Sequence, residues 1–183
     1  RLTPFSKPYG FGFMIKNRGF MLERIYVEIG NICNLSCSFC QGTTKPARKM
    51  SVEEFSEICD KIKGHTKYVY LHVMGEPLLH DELDKLLKII HAKNLKACIT
   101  TNGFLLPERE RVLLDNSECI HKISISLHSP EGNGINDIEK YLTSVISFSK
   151  KATDKNIYVI FRLWNNDSAS GQGKNTQNPI IEA

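Results

Sequence analysis

Strand-like and helix-like segments alternate along residues 22–164 of this 183-residue chain, and no other feature narrows the fold as far. The apolar run Ile25-Tyr26-Val27-Glu28-Ile29 reads as a first strand. Ser51-Val52-Glu53-Glu54 is a capping box. It opens a helix with Val52, Phe55, Ile58, Cys59 and Ile62 on one face, closed by Gly64. Residues 67–74 read as a second strand. Asp81 is read as the cap of a second helix, whose Leu83, Leu86, Leu87 and Ile90 keep helical spacing. Residues 96–101 form a third strand, and Pro107 opens a short helix at a position where proline is tolerated. Residues 121–128 form a fourth strand. A helix follows over 135–151, with Ile138, Tyr141, Leu142, Val145 and Ile146 turned inward. Residues 157–164 form a fifth strand. Repeated β-α units imply parallel strands, right-handed crossovers and helices on the outer face. An open sheet and a barrel both fit that pattern.

The bulk properties suit one soluble α/β domain with a real core. Hydrophobic residues make up 41% and charged residues 24%. The net charge of +4 is mild and not concentrated, so nothing signals nucleic acid. Lys45, Arg48 and Lys49 form a short basic group, read as a solvated loop or as a contact to an anionic substrate. No apolar run approaches the roughly 18 residues that would suggest a membrane span, and no signal peptide is visible. The chain starts at Arg1, which implies a fragment or a processed form.

Cys33, Cys37 and Cys40 carry the chemistry. Their spacing is C-x3-C-x2-C, directly after the first strand. Three soft thiolates within eight residues can converge on one metal centre. A closed zinc site or an ordinary iron–sulfur cluster takes four ligands. Three cysteines on a cubane leave one iron open to a substrate or cofactor. Cys59, Cys98 and Cys119 stand alone in apolar contexts and read as small buried hydrophobes. The tight triple argues for metal binding in a reducing cytoplasm over a disulfide framework.

At these residues the chain resembles the radical S-adenosylmethionine (radical SAM) enzymes, whose signature is C-x3-C-x-aromatic-C, with Phe39 as the aromatic. Met74-Gly75-Glu76-Pro77 resembles the family's Gly-Gly-Glu-Pro motif, with Met74 in place of the first glycine. Thr100-Thr101-Asn102-Gly103 ends the third strand, and Ile123-Ser124-Ile125-Ser126-Leu127-His128 is the fourth. The resemblance implies a partial (β/α)6 TIM-like barrel over residues 22–164. Five strands can be counted where six are implied, so the expected barrel breaks off after the fifth. Residues 1–21 are then a lead-in, and 165–183 a polar loop and the start of a missing C-terminal part.

In such a barrel the loops after the strands build the active site at one face. All the motifs lie at strand ends, so only this architecture makes them neighbours. The resemblance implies that Cys33, Cys37 and Cys40 ligate a [4Fe-4S] cluster and that S-adenosyl-L-methionine chelates the fourth iron. An electron from the cluster then cleaves the sulfonium and yields a 5′-deoxyadenosyl radical that abstracts hydrogen. Glu76, with Gly75 backbone groups and a turn fixed by Pro77, is expected to accept the cofactor's ammonium. Phe39 is a candidate to pack on the adenine, or a core aromatic. Ser126 is a candidate for the carboxylate or ribose, and His128 for the same groups, the substrate or a structural hydrogen bond. Asn102 is a candidate for the ribose or carboxylate or a turn, and Arg162 for the methionine carboxylate or a rim salt bridge. Ser124, Ser126 and His128 share one strand face, opposite Ile123, Ile125 and Leu127. Tyr70 and His72 share parity with Glu76, but both faces of that strand are mixed.

The implied partners are an external electron donor such as flavodoxin or ferredoxin and an unidentified substrate. The Cys-Asn-Leu-Ser-Cys context resembles enzymes that modify peptides, mature cofactors or activate other enzymes, and protein or peptide modification is preferred over a small-molecule substrate. The competing reading is a non-catalytic iron–sulfur or zinc module for electron transfer or scaffolding. The Gly75-Glu76-Pro77 turn discriminates, because such a module needs no ammonium-binding turn.

Overall fold

A computed structural model describes residues 21–37, 40–127 and 137–163. Five parallel strands lie in consecutive order. They are β1 (Ile25–Tyr26), β2 (Tyr68–Tyr70), β3 (Lys96–Thr101), β4 (Ile120–Leu127) and β5 (Tyr158–Leu163). Four helices connect them: α1 (Val52–Ile62), α2 (Leu83–Ala92), α3 (Leu106–Asp115) and α4 (Ile138–Asp154). This is an α/β arc of a barrel. Phe39, His128 and Trp164 lie outside the described residues, as do the lead-in through residue 20 and the segment from residue 164 onward.

The core lies between the sheet's outer face and the helices. Val69, Ala97, Ile99, Ile123 and Ile125 face outward and are buried. Against them pack Phe55 and Cys59 of α1, Leu83, Leu86, Leu87 and Ile90 of α2, Leu113 of α3, and Val145 and Phe148 of α4. The capping box of α1 is complete. Ser51 Oγ accepts from Glu54 N (3.2 Å), and Glu54 accepts from Ser51 N (2.9 Å). Cys59, Cys98 and Cys119 are all buried, and burial pushes the Cys59 and Cys119 thiols up to about 11.

Three expectations need correction. Asp81 does not cap α2. The cap position is Glu82, which makes no side-chain cap bond, and Asp81 instead pairs with Lys49 Nζ at 2.7 Å. Ile146 is not inward but about half exposed. The buried stripe of α4 runs Tyr141, Val145, Phe148, Ser149, Ala152, and five residues from Tyr141 is well off that face. The regular ladder of β2 covers only three residues of the expected run, because the chain leaves it to form the cavity wall described below. Of the basic group, Arg48 pairs with Glu54 and Lys49 with Asp81, both at the surface. Among the described residues no helix is long and apolar enough to cross a membrane.

A candidate cluster and cofactor site at the strand ends

The C-terminal ends of the strands surround a cavity of about 610 Å³. Its wall includes Cys33, Cys37, Cys40, Gly75, Glu76, Asn102, Ser126 and Arg162. Every expected site residue that the structure describes therefore lines one cavity, except Pro77, which is buried at the start of a 3-10 turn, Pro77–Leu79. The sequence separation is large, but parallel strands put all these loops at one edge.

The loop after β2 is seated on the cysteine loop. Gly75 has φ 77°, and a Cβ there would lie 2.7 Å from Gly30 O and 2.8 Å from both Asn31 C and Ile32 O. Only glycine combines that backbone conformation with that approach. The next residue completes the seat, with Glu76 N donating to Ile32 O at 2.8 Å. Met74, in place of a first glycine, leaves this geometry intact. Its N–H donates to Glu28 Oε2 at 3.0 Å.

Glu76 is buried, and its two oxygens tie two loops together. Oε1 accepts from Leu78 N at 3.0 Å and Oε2 from Asn102 N at 2.8 Å. Burial pushes its carboxyl up, against the opposing pull of the Asn102 and Leu78 N–H groups and the Thr101 side chain. A carboxylate has about four lone-pair positions, so two backbone bonds leave acceptor capacity toward the cavity.

Asn102 connects the wall to the cysteine loop. Its Nδ2 donates to Asn34 Oδ1 at 2.9 Å and lies 4.0 Å from Cys33 Sγ, while its Oδ1 accepts from Phe104 N at 3.0 Å. Its carbonyl accepts from the buried Tyr141 hydroxyl of α4 at 2.8 Å. Gly103, at φ 81°, makes room for this contact, since a Cβ there would lie 3.2 Å from the Tyr141 oxygen. Ser126 and Arg162 are partners in the β4–β5 register, so both point to the same side of the sheet.

The thiols have the chemistry of a cluster cradle. Leu35 N points at Cys33 Sγ (3.5 Å) and Gly42 N at Cys40 Sγ (3.4 Å). Hydrogen bonds to sulfur are one means by which proteins tune iron–sulfur centres. Burial raises the Cys33 thiol, the Leu35 N–H lowers it, and the neighbouring Glu76 and Cys40 raise it. Among the described residues no three His, Cys, Asp or Glu side chains gather tightly enough for one metal ion. A cubane spreads its ligands over separate irons, so its thiols need not converge on one ion, and Cys33, Cys37 and Cys40 all line the one cavity.

Sequence reasoning missed Glu28 and Tyr141. Glu28 is a lone carboxylate inside an apolar strand, which was the available signal. Tyr141 looked like any residue of a helical stripe. His72, left undecided by parity, lines the cavity with a buried Nδ1 that has no hydrogen-bond partner. Burial, then Arg162 and Lys122, push its pKa from 6.5 down to about 4. The unfolded chain takes up this proton below about pH 6.5 and the folded chain only near pH 4. Stability is therefore lost as pH falls between those values, by up to about 3 kcal/mol. His72→Phe should flatten that part of the profile, measured by urea unfolding at pH 7 and pH 4.5. An unchanged difference between the two pH values would assign the acid sensitivity elsewhere.

A parallel β/α arc whose strand-end mouth carries three thiols and a buried Gly-Glu turn defines a class of cofactor-dependent barrel proteins. Residues 27–167 match the Radical SAM superfamily, and the chain belongs to that family. The family uses a [4Fe-4S] cluster and S-adenosyl-L-methionine. The chain is 29% identical over 101 residues to the GTP 3′,8-cyclase of Chlorobaculum tepidum, covering 53% of this chain and 31% of that protein. It resembles BtrN in complex with AdoMet and 2-DOIA, with a TM-score of 0.61 and 20% identity over 78% of this chain and 58% of that one. It also resembles Streptococcus suis SuiB bound to precursor peptide SuiA, with a TM-score of 0.64 and 20% identity over 82% and 34%. These two likenesses concern the fold. The matches span between 31% and 47% of the curated relatives' own lengths.

Proposed function

We propose that this chain is the cluster- and cofactor-binding core of a radical SAM enzyme that abstracts hydrogen from an organic substrate. The observation that carries this reading is the single cavity shared by Cys33, Cys37, Cys40, the Gly75-Glu76 turn, Asn102, Ser126 and Arg162. When bound, the cluster supplies the electron that cleaves the sulfonium of S-adenosyl-L-methionine, giving a 5′-deoxyadenosyl radical. The protein's own part is to bind, orient and exclude water. Cys33, Cys37 and Cys40 would each hold one iron. The Gly75 backbone and the remaining lone pairs of Glu76 would take the cofactor's ammonium. Arg162 and Ser126, adjacent in register, would take its carboxylate, and Asn102 its ribose. Phe39 and His128 keep their proposed places at the adenine and at the carboxylate or ribose.

A flavodoxin- or ferredoxin-type donor would supply the electron. Peptide or protein modification is the preferred setting, with cofactor maturation beside it, on the strength of the Cys-Asn-Leu-Ser-Cys context. The relative named as a GTP 3′,8-cyclase keeps a small-molecule substrate in view.

The test is spectroscopic. Addition of S-adenosyl-L-methionine to the reduced, reconstituted protein should change its electron paramagnetic resonance spectrum. Glu76→Ala should weaken that response. A hydrogen bond to a charged group is worth about 1.5–3 kcal/mol, or roughly one to two decades in affinity. A full complement of iron with no response to the cofactor would return the chain to a non-catalytic iron–sulfur module.

A further inference from the structure

The sulfur of Cys33 meets hydrogen-bond donors of two kinds. Leu35 N, a backbone group of the cysteine loop itself, points at it from 3.5 Å. Asn102 Nδ2 reaches it at 4.0 Å from the end of β3, 69 positions further along the chain. This second donor is a side chain, and the barrel holds it, not the loop.

The orientation of the Asn102 amide is fixed by its neighbours. Its Oδ1 accepts from Phe104 N at 3.0 Å, so the Nδ2 end faces the cysteine loop. A flipped amide would set its NH2 group against the Phe104 N–H. Nδ2 carries two N–H groups. It donates to Asn34 Oδ1 at 2.9 Å as well as to Cys33 Sγ. The backbone of Asn102 is equally committed. Its N–H donates to Glu76 Oε2 and its carbonyl accepts from the Tyr141 hydroxyl, both at 2.8 Å.

Tyr141 grips this turn twice. Its hydroxyl holds the Asn102 carbonyl, and its ring stacks on Phe104 with centroids 5.8 Å apart. Tyr141 and Asn102 are both buried. Burial, then the Glu76 charge, push the phenol's pKa up, so it stays a donor at any ordinary pH. A buried polar network with its members satisfied holds a single geometry.

A reduced cluster carries one more negative charge than an oxidised one. A donor N–H at a ligand sulfur therefore favours the reduced form, and such bonds are among the determinants of iron–sulfur potentials. The Glu76 carboxylate on the same wall acts in the opposite sense. Its bond from this residue comes from the Asn102 backbone, so replacing the Asn102 side chain leaves that bond in place.

We propose that the Asn102 side-chain amide donates to the Cys33 sulfur to raise the reduction potential of the bound cluster, and that Tyr141, outside the cavity lining, is the positioning residue that holds it there. The proposal rests on the radical SAM reading for the cluster itself. It is additional to the ribose contact, which would use the second lone pair of Asn102 Oδ1.

The test is an anaerobic redox titration of the reconstituted, cofactor-free protein, read by the electron paramagnetic resonance of the reduced cluster. Asn102→Ala removes the donor and adds no charge. It should lower the reduced-to-oxidised ratio at a fixed potential about tenfold, a shift of about 59 mV to more negative potential for one electron. Tyr141→Phe keeps the ring and loses the hydroxyl, and should lower the ratio about threefold. Leu113→Ala, in the buried face of α3 and away from the cavity, should lower the melting temperature and leave the ratio unchanged. An unchanged ratio in Asn102→Ala, or an equal fall in Leu113→Ala, would overturn the tuning role. A fall in Asn102→Ala with none in Tyr141→Phe would overturn the part given to Tyr141.

A second measurement needs no variant. The chain is made with nitrogen-15 only at its asparagine side-chain amides. Electron spin echo modulation of the reduced cluster should then show a nitrogen-15 coupling. Its absence would overturn the proposal even where Asn102→Ala fails to fold. Iron content is measured on the same sample. Iron missing from the unmodified chain sinks the radical SAM reading, whereas a full complement with neither coupling nor shift sinks the tuning role alone.

Discussion

Replacing any one of Cys33, Cys37 and Cys40 by alanine should reduce bound iron from about four per chain to near none after anaerobic reconstitution. The broad visible absorption should disappear with it. The effect is large because a three-thiolate cradle has no spare ligand. The structure makes the contrast sharp. Cys59 and Cys119 are buried in the core between sheet and helices, and Cys98 is buried in β3 beside Tyr70; none of the three lines the cavity. Alanine at those three sites should leave the iron in place and cost only packing energy. The same division should appear in thiol labelling of the metal-free chain. Iodoacetamide at pH 8 should modify the cavity cysteines and spare Cys59 and Cys119, which burial keeps protonated to about pH 11. Iron retained in Cys37→Ala and lost in Cys98→Ala would reverse the assignment.

Gly75→Ala is the second large effect. The residue's φ of 77° costs a side-chain-bearing residue about 1–2 kcal/mol. The added methyl also meets backbone atoms of Gly30, Asn31 and Ile32 at 2.7–2.8 Å, and backbone cannot rotate aside as a side chain can. Overpacking of that kind adds about 1–3 kcal/mol. Together these are a large part of the usual stability of a domain, about 5–15 kcal/mol. A fall in melting temperature on the order of 10 °C is expected. The displaced turn carries Glu76, whose N–H holds Ile32 O and whose carboxylate holds Asn102. Cofactor binding should therefore fail even at temperatures where the variant is folded. Ile146→Ala, at a half-exposed position on α4 outside the cavity lining, is the control and should change neither quantity much. A Gly75→Ala protein with ordinary melting and ordinary cofactor response would mean that the turn is not seated on the cysteine loop.

Much of the fold was legible because it rests on short-range periodicity. Leu83, Leu86, Leu87 and Ile90 recur at helical spacing and are all fully buried in α2. Ser124 and Ser126 alternate with Ile123 and Ile125, and the two sets do face opposite sides of β4. The capping box of α1 was readable because both its bonds are local. The misreadings were local as well. Asp81 has the chemistry of a cap, but Lys49, more than 30 residues away, holds it elsewhere.

The sequence by itself determined the β-α order, the buried helix faces, the thiol trio and the Gly-Glu turn, because each depends on neighbours within a few positions. Only the tertiary structure decided what that turn touches. Nothing in Met74-Gly75-Glu76-Pro77 says that Gly75 will lie on the backbone of Gly30–Ile32, or that Glu76 will bridge Leu78 and Asn102. The same holds for Tyr141, which reads as a core residue and reaches the site through the Asn102 carbonyl. A row of Tyr26, Tyr70, Lys122 and Tyr158 across the sheet exists only once strand register is set. Register is a relation between segments far apart in the chain, fixed by the packing of the whole sheet against its helices. A periodicity of two can say which residues share a face, but not which residues meet across it.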